Sequence, residues 1–207
     1  METGDILLFV PKKQKGLYRI LDWIIESFSD SKYTHVAMVW KDPVLLDREQ
    51  LKGFYIIEST GREEPDVEDG KKKFGVQLRN YNEVLRNSGC DVYWRKLNCI
   101  RDQGFHEKMN YAHSVVHGKP YDIDPVDWID AAFDLDIGNL QKKNTFFCSA
   151  LCSFILICLG AVSDDVQWSK VRPKDLGTED IESEREIKMQ EGFELENEKI
   201  IYSPMDS

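Results

Sequence analysis

The chain carries no stripe of lysine and arginine, and its net charge is −10, so binding along a nucleic-acid backbone is not expected. No positively charged, apolar leader opens it, because Gly4-Asp5 passes at once into an apolar strand, and no secretory signal is expected. The five cysteines (Cys90, Cys99, Cys148, Cys152 and Cys158) are odd in number and lack paired spacing, which argues against a disulfide framework. Free thiols and a cytoplasmic location are the expectation. No internal repeat is visible. One apolar stretch, residues 146–162, has 17 residues without a charge, the lower edge of what a bilayer requires. It contains Ser149 and Ser153 and closes on Gly160, so a helix buried against a sheet is expected rather than a membrane span.

What is present suits a folded domain. The 207 residues are 42% hydrophobic and 11% aromatic, enough for one substantial core. The acidity is concentrated at the end. Residues 178–207 hold ten acidic and three basic side chains, a balance of −7, which leaves −3 for the rest. The expected organisation is a domain over 1–177 and an acidic tail over 178–207, partly disordered or peripheral, that could bind a basic partner.

Apolar runs at residues 5–10, 35–40 and 54–58 read as buried strands, and those at 75–78 and 92–97 as half-exposed ones. Leu17, Ile20, Leu21, Ile24, Ile25 and Phe28 recur at helical spacing, which predicts an amphipathic helix over 16–29. Phe105, Met109, Ala112 and Val116 predict another from Gly104, and residues 125–133 a short third. The run beginning at Cys148 predicts a helix apolar on every face, capped by Asn144 or Thr145 and ended by Gly160. This order of elements indicates an α+β fold, a mainly antiparallel sheet packed against helices.

Cys148 stands where chemistry is favoured. The unpaired N–H groups and positive dipole end of a helix stabilise an anion, and so favour thiolate over thiol. A cysteine nucleophile also needs a base and a group to orient that base. His35 opens one strand and Glu58 closes the next. If these strands are antiparallel neighbours, the start of one lies beside the end of the other. His35 would take the Cys148 proton, Glu58 would hold the imidazolium, and N–H groups at the helix start would stabilise an oxyanion.

Gly4-Asp5-Ile-Leu-Leu, Tyr33-Thr-His35-Val-Ala-Met-Val, Tyr55-Ile-Ile-Glu58-Ser and Phe147-Cys148-Ser149-Ala-Leu follow one another in an order that resembles the circularly permuted branch of the NlpC-type papain-like cysteine hydrolases. That branch includes YiiX-like proteins, the lecithin retinol acyltransferase group and poxviral members. Gly75-Val76, Lys119-Pro-Tyr121-Asp122 and Arg172-Pro173-Lys-Asp-Leu176 add to the likeness, which runs from Gly4 to Leu176. It implies a permuted papain-like fold and a triad of His35, Glu58 and Cys148, in that order. Asp5 falls on a glycine–aspartate turn that is structural. A glutamate at the second position is similar to the YiiX-like and poxviral pattern, whereas the acyltransferases tend to carry histidine there.

The expected activity is hydrolysis of an amide or isopeptide bond in a peptide or protein-like substrate, through an acyl-enzyme. Lipid acyl transfer or thioester hydrolysis, and a non-catalytic binding or virion-structural role, stay open. A poxviral kinship would put the protein in host cytoplasm or a virion. No cofactor and no metal are expected. His106, His113 and His117 share one helix face, with Asp122 and Asp124 close behind, but the default reading is a solvated, partly exposed face. Cys152 and Cys158 read as packing residues. Tyr33 reads as packing too, although its hydroxyl could reach the site.

Overall fold

A computed structural model of the chain describes residues 1–12, 31–45, 50–121, 147–178 and 187–204. The expected helices at 16–29 and 125–133, the caps Asn144 and Thr145, and Asp122 and Asp124 lie outside these residues.

The apolar runs form strands β1 (Ile6–Pro11), β2 (His35–Lys41), β3 (Phe54–Pro65), β4 (Lys72–Asn80) and β5 (Cys90–Arg95). Short strands β6 (Leu97–Asn98), β7 (Glu194–Leu195) and β8 (Lys199–Tyr202) follow. Six of them make one sheet, ordered β4-β3-β2-β1-β5-β8, with every neighbouring pair antiparallel. The α-helices among the described residues are α1 (Tyr81–Ser88), α2 (Gln103–Val116) and α3 (Cys148–Leu159). The fold is therefore α+β, built on an antiparallel sheet.

Alternation along the strands divides the core in two. Ile6, Leu8, Val36, Met38, Ile57 and Leu78 pack with α2 and α3, while Leu7, Phe9, Ala37, Val39 and Ile56 pack with Val84 and Leu85 of α1. A sheet covered on both faces needs strands that are apolar at nearly every position, which is why β1 and β2 read as unbroken hydrophobic runs. Ten of the 12 residues of α3 are buried, so its uniform hydrophobicity reflects packing. No helix among the described residues is long and apolar enough to cross a membrane.

Helix α1 has local signals that hydrophobic periodicity passes over. Asn80 caps it by accepting from the Asn82 and Glu83 N–H groups, and Gly89 ends it at φ 64°. The segment expected as a peripheral tail is tied into the domain where it is described. β8 forms the sheet edge beside β5, and β7 pairs with β6. Arg95, 8% exposed, donates to the carbonyls of Leu176, Gly177, Leu195 and Glu196. Glu198 accepts from the Tyr33 hydroxyl at 2.5 Å and from the Thr178 hydroxyl. A boundary at 177 thus cuts across one hydrogen-bonded unit. The acidic composition conceals this, because an edge strand keeps charge on its open side.

Candidate active site

Cys148 is the first residue of α3 and only 3% exposed. The N-cap is Phe147, which has no side-chain acceptor, in place of the expected Asn144 or Thr145. Helix geometry leaves the first N–H groups without an intrahelical acceptor, and here the cap side chain supplies none either. The start of the helix is anchored by the Ser149 hydroxyl, which donates to the Val171 carbonyl at 2.6 Å. Just beyond, Arg172 and Asp175 brace that loop through their side chains at 2.8 Å. Gly160 ends the helix in the left-handed region at φ 78°, as the sequence implies.

His35 is the first residue of β2, and Glu58 lies within β3 on the neighbouring strand. The register pairs Met38 with Ile57, which brings the start of β2 alongside Glu58. His35 Nε2 is 2.8 Å from Glu58 Oε2, and the Phe9 ring lies 5.1 Å from the imidazole, centroid to centroid. Burial works against charge on His35, but hydrogen bonds and charge from Cys148 and Glu58 outweigh it and push its pKa up to about 10. The imidazole is thus favoured as an imidazolium between the Cys148 sulfur and a carboxylate. The structure brings together all three residues named from the sequence.

Two further side chains lie beside the carboxylate. Arg79 Nη1 stands 3.5 Å from Glu58 Oε1, and its Nη2 is 3.6 Å from Glu64; Arg79 is 5% exposed. Gln77 faces Glu58 directly in the β3–β4 register and is fully buried, and neither of its amide atoms has a hydrogen-bond partner among the described residues. From sequence, β4 reads as a half-exposed strand whose polar residues point to water. The polar alternation Gln77-Leu-Arg79 opposite Glu58 was the available signal, but a buried cation cannot be told from a solvated one by period alone.

Neighbouring residues take other roles. Burial, with Cys148 and Glu58 adding negative charge, pushes the Cys152 thiol well above its ordinary range, so it packs without reacting. Asp5 is fully buried and accepts from the Glu2 and Leu97 N–H groups, the Trp94 indole and Arg101, which makes it a hub for the chain entry. Tyr33 spends its hydroxyl on Glu198. A cavity of about 490 Å³ lined by Glu2, Trp40, Lys41, Arg101 and His106 lies at the far end of β2 from His35 and includes none of the three residues.

The helix histidines do not form the solvated face expected of them. His106 is exposed, but His113 is 7% exposed with its ring 4.9 Å from that of Trp40, and His117 is half-buried. The loop between β3 and β4 closes over them. Glu68 Oε2 is 3.0 Å from His113 Nε2 and 3.1 Å from His117 Nε2. Periodicity places these histidines relative to their own helix, but it cannot show that a loop from much earlier in the chain covers them.

Comparison of the chain with protein-family models and with curated proteins finds no match. Any functional reading rests on the residues themselves. A buried thiol at a helix start, an imidazolium beside it and a carboxylate behind form an arrangement capable of nucleophilic attack on a carbonyl carbon.

Proposed function

We propose that the chain is a cysteine hydrolase of permuted papain-like architecture, acting on an amide or isopeptide bond in a peptide or protein-like substrate. The observation that carries this reading is the single line from Cys148 through His35 to Glu58. In the proposed cycle the Cys148 thiolate attacks the substrate carbonyl carbon, and N–H groups at the start of α3 stabilise the oxyanion. The His35 imidazolium then gives its proton to the leaving amine as the tetrahedral adduct collapses to a thioester. Water, deprotonated by the now neutral His35, attacks the thioester and releases the acid and the thiolate. Glu58 holds the ring and favours its charged form, and the Arg79 guanidinium places a positive charge behind Glu58.

The ordered likeness to the NlpC-type hydrolases supports the same reading, and the glutamate at position 58 favours amide over lipid-acyl chemistry. The test is capture with Cys148→Ser, whose hydroxyl would retain the acyl group as an ester. The expected outcome is a peptide or protein acyl group esterified at position 148 of that variant, found by mass spectrometry of the full chain after incubation with a peptide library. A fatty-acyl adduct would move the assignment to lipid chemistry. Undiminished turnover by Cys148→Ala of a substrate that the wild type consumes would overturn the nucleophile.

A further inference from the structure

We propose that Glu68, His113 and His117 form a second site, a binding site for a divalent transition metal of the zinc class. His113 and His117 are four residues apart at the end of α2, so their rings project from adjacent turns of one face, 4.9 Å between centroids. Glu68 arrives from the β3–β4 loop. One ligand atom from each of the three lies within 4.8 Å of the others.

The separations are close to those that a bound ion would set. Ligands at about 2.0–2.1 Å from a tetrahedral ion stand about 3.3 Å apart. Glu68 Oε2 lies 3.0 and 3.1 Å from the two Nε2 atoms. Glu68 Oε2 and His113 Nε2 are both sealed from solvent and have no hydrogen-bond partner among the described residues. Buried polar atoms normally find partners, and unsatisfied ones that converge on a point indicate something that accepts several lone pairs at once.

The surroundings are built to hold these atoms in place. Trp40 packs against the His113 ring. The loop that carries Glu68 is pinned: the Val67 N–H donates to the Leu78 carbonyl at 2.8 Å, and Asp66 Oδ1 accepts from the Glu68 N–H at 2.8 Å. Gly75, at φ 121°, lets the strand run directly under the segment that follows His117; a Cβ there would meet the Lys119 carbonyl oxygen at 2.2 Å. His117 keeps 25% of its side chain exposed and Glu68 16%, which leaves an approach from solvent.

Asp66 and Lys73 border the site. Lys73 Nζ lies 2.6 Å from Asp66 Oδ2 and 3.4 Å from His117 Nε2, and Asp66 Oδ2 lies 3.2 Å from the same Nε2. The ammonium opposes a metal at that nitrogen, so binding requires Lys73 to swing outward. Water would fill the fourth position of the ion. Two imidazoles and a carboxylate suit Zn²⁺, and Co²⁺ can report on the same geometry. The site shares no residue with the triad, and Trp40, which packs against His113, is five residues beyond His35 along β2.

The test uses the full chain with Cys148→Ala, which removes a competing thiol. After stripping with a chelator, the protein is titrated with ZnCl₂ by calorimetry and with Co²⁺ by visible absorption. One ion per chain, with tetrahedral Co²⁺ absorption, is expected. His117→Gln and Glu68→Gln should each weaken binding by more than about a hundredfold, beyond the usual loss from an outer-shell change. His117 is half-exposed, so that variant should keep its fold, as circular dichroism will verify. Lys73→Met should bind Zn²⁺ more tightly than its parent. Absence of saturable one-to-one binding, or binding that survives His117→Gln but is lost with His35→Ala, overturns the proposal.

Discussion

Two clusters in this molecule set an imidazole against a shielded carboxylate at almost the same separation, and they differ in what completes them. At His35 and Glu58 the 2.8 Å contact is a hydrogen bond, with a thiol on one side and the Arg79 guanidinium on the other. At His113, His117 and Glu68 the contacts are 3.0 and 3.1 Å, and Glu68 Oε2 and His113 Nε2 are buried with no hydrogen-bond partner among the described residues. Proximity alone does not distinguish a proton-holding site from a metal-holding one. The partners those atoms find, and the charges behind them, do.

The largest expected effect tests the first cluster. Glu58→Gln should lower kcat on the order of 10³-fold, because the ring loses both its charge partner and its orientation. Zn²⁺ binding at the second cluster should be unchanged in that variant. A parallel loss of metal binding would merge the two sites into one.

Arg79→Met comes next. Removing one partner of a buried ion pair leaves Glu58 short of compensation and should cost about 3–5 kcal/mol in urea unfolding. A loss near zero would mean that water reaches Glu58 and that its pairing with Arg79 is incidental.

Gly75→Ala should be milder for the fold and selective between the sites. The added methyl pushes the Lys119–Tyr121 backbone away, costing about 1–3 kcal/mol, and weakens Zn²⁺ binding through His117. Calorimetry would check this, with thiol reactivity at Cys148 as the control that should not move.

The most gradual effect is a slope. His35 has an ordinary value of 6.5 and a folded value of about 10. A raised folded pKa contributes stability that is fully present below 6.5 and is lost as pH rises toward 10, because the native state binds the extra proton in that window. Stability should fall there by at most about 1.4 kcal/mol per pH unit from this group. His35→Gln should flatten that part of the profile in denaturant titrations at stepped pH.

Much of the first cluster was readable from the chain. His35 opens an apolar run, Glu58 sits near the end of the next run, and Cys148 begins a helix, so strand adjacency alone puts them near each other. Arg79 and Gln77 were not readable, since their period matches that of any strand with one wet face. The second cluster was less legible still. His113 and His117 announced a shared face, but Glu68 comes from a loop whose closure depends on the pinning of Val67 to Leu78. The strands near the end were hidden by charge: β8 has one strand neighbour among the described residues, so it tolerates a lysine and exposed residues that a central strand would not. Local pattern fixes which side of an element is apolar. What covers that side is decided by long-range chain closure.

The most direct test of the central claim is the pH profile of Cys148 alkylation by iodoacetamide, read residue by residue by mass spectrometry. Cys99, whose thiol burial pushes upward, is the internal reference. The account predicts that Cys148 reacts well below about pH 7 while Cys99 does not, and that His35→Ala abolishes this acid-range reactivity. If Cys148 labels no faster than Cys99 at any pH, or keeps its acid-range rate in His35→Ala, the thiolate–imidazolium pair is contradicted.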